Sequence, residues 1–313
     1  MTDRKIAFVF PGQGSQSVGM GQALAQSFPV AMDVFKQADE ILGVPLSRIA
    51  WEGPEVSLND TINTQPALFT HSVAVLQVVH ELNLDLVPSF VAGHSMGELS
   101  ALVASGALSF PDGLKLVRIR GELMKYAGER TPGGMIAVIG LDIPRIEQLC
   151  DQASSTSEIV QIANDNSLGQ VVISGSHGAL NRVQPMLEQA GARSVIRLAV
   201  SIAAHSPLMS SVQAEFNKAV TSAPIKAPYI PIVGNVTANL LLTANDIRDD
   251  LQNQLTHRVR WTESIQFLVS EGISTFFEIG NGSVLKGLIK RIDRNGITTS
   301  LGAPSDFEQI EQL

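Results

Sequence analysis

Apolar residues come in short runs closed by glycine-bearing turns, and amphipathic stretches follow them. Residues 5–10 form such a run, ended by the turn Pro11-Gly12-Gln13-Gly14-Ser15-Gln16. Residues 90–92 form a second, followed by the turn 93–97. From Glu98 the period becomes helical, with Leu99, Leu102 and Val103 on one face and Gly106 and Pro111 marking the end. Strand, tight turn and helix in succession predict an α/β fold with a parallel sheet.

The middle of the chain has a different texture. Strands are expected at 135–140, 159–163, 170–174 and 194–200, and helices at 143–153 and 177–190. That order, β-α-β-β-α-β, is the ferredoxin-like arrangement. The expectation is a small ferredoxin-like unit at 130–200 inserted into a larger α/β unit made of 1–129 and 201–313. A cleft between two such units is a common place for a ligand.

Composition narrows the function. The 313 residues are 44% hydrophobic and 17% charged, ordinary for a compact enzyme. Net charge is −8, from 22 basic and 30 acidic residues, so nothing argues for nucleic acid. The single cysteine, Cys150, excludes an internal disulfide framework and a thiolate metal cluster; it reads as a packing residue on an amphipathic helix. The apolar run at 6–10 is too short for a signal-peptide core, and 227–245 is broken by prolines, a glycine and asparagines, so no membrane span is expected. A cytoplasmic location follows by default.

Gly93-His94-Ser95-Met96-Gly97 fits the G-x-S-x-G nucleophile elbow. The serine of that motif sits on a sharp strand-to-helix turn, and the flanking glycines let strand and helix approach closely. The following helix aims its free N–H groups at the same spot, which suits a developing oxyanion. A structural turn is the plain alternative. A serine hydroxyl also needs a base, and there are six histidines: His71, His80, His94, His177, His205 and His257. His71 and His80 fall in a helix, His177 opens one, His257 lies in a polar stretch, and His94 reads as packing or site lining. His205, in an irregular segment beyond the inserted unit, could return to the cleft. Arg120 shares a helix face with Leu116 and Leu123, where a guanidinium is seldom buried without an anionic partner. An internal salt bridge is the plain reading there; Arg118 instead pairs with Glu122 at i+4.

These residues carry a family resemblance. The segments 8–16, 64–68, 93–98, 120–121, 204–206, 254–255 and 277–280 occur in the same order in malonyl-CoA:acyl-carrier-protein transacylases, which the chain resembles from about residue 5 to 295. The resemblance implies an α/β-hydrolase-like core with a ferredoxin-like insertion. It implies Ser95 as nucleophile and His205 as base, oriented by the backbone carbonyl of Gln254 rather than by an aspartate. It also implies the backbone N–H groups of Gln13 and Met96 as the oxyanion hole, and Arg120 as a two-pronged holder of the malonyl carboxylate. The reaction implied is ping-pong transfer of malonyl from malonyl-CoA through an acyl-serine to the phosphopantetheine thiol of acyl carrier protein. It serves fatty acid or polyketide synthesis without metal or redox cofactor.

Carrier proteins are typically acidic, so docking on an acidic enzyme needs a local basic patch. Lys286, Lys290 and Arg294 recur at i, i+4 and i+8, with Arg291 adjacent and Val284, Leu285, Leu288 and Ile289 expected inward. Lys286 and Lys290 are the docking candidates; a solvated helix face is the plain alternative. Three departures from the family pattern stand out: Met96 for leucine, Ala203-Ala204 before His205, and Asn281 for proline. Two small residues could leave room for methylmalonyl or another substituted malonyl group. An esterase or acyl-thioester hydrolase using the same dyad is a rival that Arg120 opposes, and a non-catalytic binding subunit is opposed by all three site residues. A dinucleotide site at Gly12-x-Gly14 fails because Ser17 takes the third glycine position.

Overall fold

The computed structural model describes residues 5–84 and 86–310. The outermost ends of the expected larger unit, 1–4 and 311–313, lie outside the described residues. Ten strands are present among them: β1 (Ile6–Phe10), β2 (Phe90–Gly93), β3 (Gly133–Ile139), β4 (Val160–Ser167), β5 (Gln170–Ser176), β6 (Ser194–Arg197), β7 (Ile232–Val233), β8 (Leu240–Leu241), β9 (Thr275–Ile279) and β10 (Ile297–Leu301). They form two sheets.

The larger sheet has the order β10-β9-β1-β2-β7-β8, parallel except for the β7–β8 hairpin. β1 is buried along all five residues, as a central parallel strand covered by helices on both faces must be. On one face lies the helix Thr61–Glu81, buried almost all round because it is sandwiched between Pro29–Leu42 and Phe110–Arg130. Asp60 caps it, its side chain accepting from the Ile62 N–H. Ser109 caps Phe110–Arg130 in the same way, with Pro111 in its first turn. The buried stripe of that helix, Leu116, Val117, Arg120, Leu123 and Met124, carries the arginine inward.

The smaller sheet runs β4-β5-β3-β6 with every neighbour antiparallel. The helices Ile143–Ala153 and His177–Gln189 cover it and share its separate core of Ile136, Val138, Ile146, Leu149, Ile173 and Leu180. Connectivity and strand order are both those of the ferredoxin-like fold. Cys150 belongs to this core, where burial pushes its thiol up to about 12 and keeps it an unreactive packing residue.

Two strand ends, those of β4 and β6, differ most from the sequence reading. β4 continues past Ala163 through Asn164-Asp165-Asn166 to Ser167, with register shifts against β5. Its polar end does not pair only within its own sheet: Asn164 bridges to Val259, and the Asp165 N–H donates to the Val259 carbonyl. A stretch that looks like a loop by polarity is therefore held as strand from both sides, by β5 and by Val259. β6 ends at Arg197 instead of reaching 200, and 198–206 runs without regular structure until Pro207–Met209.

β2 leads into the helix Gly97–Ala104 through a turn too tight for side chains. A Cβ on Gly93 would lie 2.0 Å from the Gly97 carbonyl carbon, and one on Gly97 would lie 2.2 Å from the Phe10 carbonyl oxygen. Both contacts are with backbone, which cannot swing aside. Gly93→Ala or Gly97→Ala should therefore cost about 3 kcal/mol or more of stability, read as a lower denaturation midpoint; a loss within about 0.5 kcal/mol would contradict the close approach.

Candidate active site

The site lies beyond the carboxyl ends of β1 and β2, where ligands gather in parallel α/β sheets. Ser95 is at the tip of the β2 turn with φ 53°, a left-handed conformation a serine seldom adopts. Asn235, just after β7, holds it there. Its Oδ1 accepts from the Ser95 N–H at 2.8 Å, while its Nδ2 donates to the Gly93 carbonyl at 2.8 Å and to Glu98 Oε2 at 2.8 Å.

His205 also has a left-handed backbone, φ 58°, in the irregular segment after β6. Its Nδ1 faces two carbonyls, Gln254 O at 2.8 Å and His257 O at 3.2 Å. Carbonyls only accept, so Nδ1 carries the proton and Nε2 is the free acceptor. Nε2 lies 2.8 Å from Ser95 Oγ, which donates to it. Gln161 holds the segment from the small sheet, its Nε2 donating to the His205 carbonyl at 2.9 Å. Burial chiefly, and then the nearby Arg120 charge, push His205 from its ordinary 6.5 down to about 3, so it is a neutral base at any working pH.

Arg120 is 1% exposed. Its Nη1 donates to Gln65 Oε1 at 2.8 Å and Met124 Sδ at 3.2 Å; its Nη2 donates to Gln254 Oε1 at 2.8 Å and Ser95 Oγ at 3.1 Å. Nε–H has no partner. Among the described residues no carboxylate forms an ion pair with it, so the internal salt bridge weighed from the sequence does not form. Arg118 takes the Glu122 pair at 2.6 Å instead. Desolvation lowers the Arg120 guanidinium to about 10, partly opposed by the nearby Glu98 carboxyl.

The two amides expected at an oxyanion hole are both free: among the described residues no protein acceptor takes the N–H of Gln13 or Met96. The loop after β1 is fixed from several sides. A Cβ on Gly12 would lie 2.4 Å from the His94 carbonyl oxygen, the Gln13 side chain accepts from Thr61 Oγ1 at 3.0 Å, and Asn281 Nδ2 donates to Ser15 O at 2.6 Å and Ser17 Oγ at 3.0 Å. Asn281 thus has a tethering role that the proline usual there could not fill. His94 lines the site as expected, its Nε2 2.7 Å from Asn166 Oδ1 and its ring edge-on to Trp261. His71 is a core histidine bonded to the Gly302 carbonyl at 3.0 Å. Ala203 is fully buried against β3, where a Cβ on Gly133 would come within 2.8 Å of its own Cβ.

Ser95, His205, Arg120 and Gln254 thus converge, with Gln13 on a neighbouring loop. Lys286 and Lys290 lie apart, exposed on the helix Val284–Ile292. Val284, expected inward, is 47% exposed; only Leu285, Leu288 and Ile289 are buried, because Glu278 accepts from the Leu285 and Lys286 N–H groups and sets how the helix starts. Sequence reasoning missed Gln65, Glu98, Asn235, Asp250 and Gln161. Gln65 and Glu98 stood inside the recurring segments, but their polarity alone gave them no role.

A serine hydroxyl 2.8 Å from a buried neutral histidine, on the turn after a parallel strand, suits serine–histidine acyl transfer. The acyl transferase domain family model matches residues 7–300, and the chain belongs to that family. It is 42% identical over 304 residues to the malonyl CoA-acyl carrier protein transacylase of Bacillus subtilis, covering 97% of this chain and 95% of the relative. It superposes on the malonyl CoA-acyl carrier protein transacylase of Coxiella burnetii with a TM-score of 0.95 at 38% identity, over 99% and 98% of the two chains. A malonyl-transacylase solved in complex with a type II polyketide synthase acyl-carrier protein gives 0.95 at 38% identity, over 99% and 100%.

Because His205 is held neutral, its contribution to stability is complete above pH 6.5. Below that the unfolded chain takes the proton first, so stability falls as pH drops toward 3, by about 1.4 kcal/mol per pH unit. Between pH 7.5 and 5 wild type should lose about 2 kcal/mol more than His205→Gln in urea unfolding. The difference between the two proteins isolates this histidine from Glu98 and Glu278, whose raised values act with the opposite sign. Parallel profiles would show that His205 is not buried neutral.

Proposed function

We propose that the chain transfers a malonyl group from malonyl-CoA to the phosphopantetheine thiol of an acyl carrier protein, with Ser95 as nucleophile and His205 as base. The observation that carries this reading is Arg120: a buried cation with no anionic partner, 3.1 Å from the reacting hydroxyl. Full-length likeness to transacylases named for malonyl-CoA and acyl carrier protein supports the same substrates.

In the first half-reaction Ser95 Oγ loses its proton to His205 Nε2 and attacks the thioester carbonyl. The tetrahedral oxyanion rests on the Gln13 and Met96 N–H groups. As the carbon–sulfur bond breaks, His205 returns the proton to the coenzyme A thiolate. The carrier thiol then repeats the sequence against the acyl-serine and frees Ser95. The malonyl carboxylate takes the Arg120 N–H groups that now point at Ser95 Oγ and Met124 Sδ, the two weakest of its four contacts. Gln65 on Nη1 and Gln254 on Nη2 keep the guanidinium in place. An acetyl group would leave those donors unmet, so the site selects against it. Every group the chemistry needs comes from the chain, so no cofactor is required and a cytoplasmic setting suits the reading.

The exposed Lys286 and Lys290 contribute to carrier docking in this scheme. Charge reversal at both should raise the KM for carrier protein about tenfold and leave acylation by malonyl-CoA unchanged; equal carrier kinetics would remove them from the interface.

The decisive experiment is intact-protein mass spectrometry after mixing the enzyme with malonyl-, methylmalonyl- and acetyl-CoA. The expected result is a malonyl-sized adduct, absent in Ser95→Ala and discharged by holo carrier protein. Arg120→Ala should lower malonyl transfer by about two orders of magnitude or more and weaken discrimination against acetyl. Free malonate accumulating without an adduct would instead identify a thioester hydrolase.

A further inference from the structure

Gln254 serves the site twice, its backbone carbonyl accepting from His205 Nδ1 and its side-chain Oε1 accepting from Arg120. An amide can flip, and only one orientation gives Arg120 an acceptor. The choice is made on the far side, where Gln254 Nε2 donates to the Ser95 carbonyl at 3.2 Å and to Glu98 Oε2. Asn235 Nδ2, the residue that holds the nucleophile turn, donates to the same Glu98 oxygen.

Glu98 is itself fully buried, and Asp250 is only 3% exposed. Asn235 ties the two carboxyl groups together, its Nδ2 donating to Glu98 Oε2 and its N–H to Asp250 Oδ2. Among the described residues neither has a paired cation, and two carboxyl groups buried this close together cannot both ionise. Asp250 accepts from the backbone N–H groups of Asn235 and Val236 at 3.2 Å each, the environment of an ionised group. Glu98 Oε1 receives no N–H at all. The charged groups acting on Glu98 are Asp250, on the helix Ala244–Gln254, and Arg120, on Phe110–Arg130.

We propose that Glu98 and Asp250 share one buried proton, held on Glu98, and that this pair is the positioning device that orients Gln254 and Asn235. Its second effect is electrostatic. Only the Gln254 amide separates Glu98 from Arg120, so a charge on Glu98 would act on that guanidinium. Keeping the negative charge on Asp250 and the proton on Glu98 leaves Arg120 without an internal counter-charge, available to the substrate carboxylate. Burial first, and then the Asp250 charge, push Glu98 well above the ordinary carboxyl range, in the same sense.

The proposal deepens the malonyl-transfer reading and rests on it for its kinetic part. Glu98→Gln preserves the neutral group, accepting from Gln254 and Asn235, so it should keep malonyl transfer within about threefold of wild type. Asp250→Asn removes the proton's counterpart, so the charge moves to Glu98 beside Arg120. The malonyl-CoA KM should then rise about tenfold, with a smaller change in kcat. Infrared difference spectra of the ligand-free full-length protein, wild type against Glu98→Gln, should show the carbonyl stretch of a protonated carboxylic acid at neutral pH. Absence of that band overturns the proposal, as does Glu98→Gln losing tenfold or more in kcat/KM with unchanged Tm. If Asp250→Asn does not fold, the band and Glu98→Gln still decide. If wild type forms no malonyl adduct, the malonyl-transfer reading fails while the band remains.

Discussion

Backbone meets backbone where β1, β2 and the helix Gly97–Ala104 cross, and the site is arranged around that contact. No Cβ fits at Gly93 or Gly97. The chain must therefore reverse direction within three residues, and Ser95 takes the left-handed conformation at the tip. Such strain persists only where the surroundings over-determine it. Here Asn235 supplies the determination by bonding the Ser95 N–H and the Gly93 carbonyl together. With the Ser95 amide thus engaged, the next amide, that of Met96, is left free beside the hydroxyl. The same crowding presses Gly12 against the His94 carbonyl, which brings the Gln13 amide to the turn.

Much of this was legible in the sequence because it is local. Apolar runs, turn glycines and helical period gave β1, β2 and the ferredoxin-like order of strands and helices, and the glycine spacing gave the elbow. What could not be read was held from a distance. β4 runs through Asn164-Asp165-Asn166 because it is paired on both edges, by β5 and by Val259, nearly a hundred residues later. His205 could be shortlisted among six histidines, but only the family resemblance singled it out. Its orientation comes from two carbonyls on a different segment. Glu98, Asn235 and Asp250 were missed since a polar residue's sequence neighbours do not reveal that it will be buried against another polar residue. Val284 was placed inward by period alone, yet the first turn of a helix can leave such a position in solvent.

Electrostatics then tie selection to chemistry. A buried guanidinium that bonds only neutral oxygens and a thioether is poorly compensated, and the cost appears in its lowered value of about 10. Its charge also acts on His205, where, after burial, it is the largest influence against protonation. The base is therefore kept neutral but weak while the site is empty. In the proposed reaction, a dicarboxylic acyl group with its carboxylate on Arg120 would cancel part of that charge and so raise the basicity of His205 as the thioester carbonyl reaches Ser95. An acyl group without the carboxylate brings no such change. In that reaction discrimination would fall on kcat as well as on binding, because the cation proposed to hold the carboxylate also weakens the base.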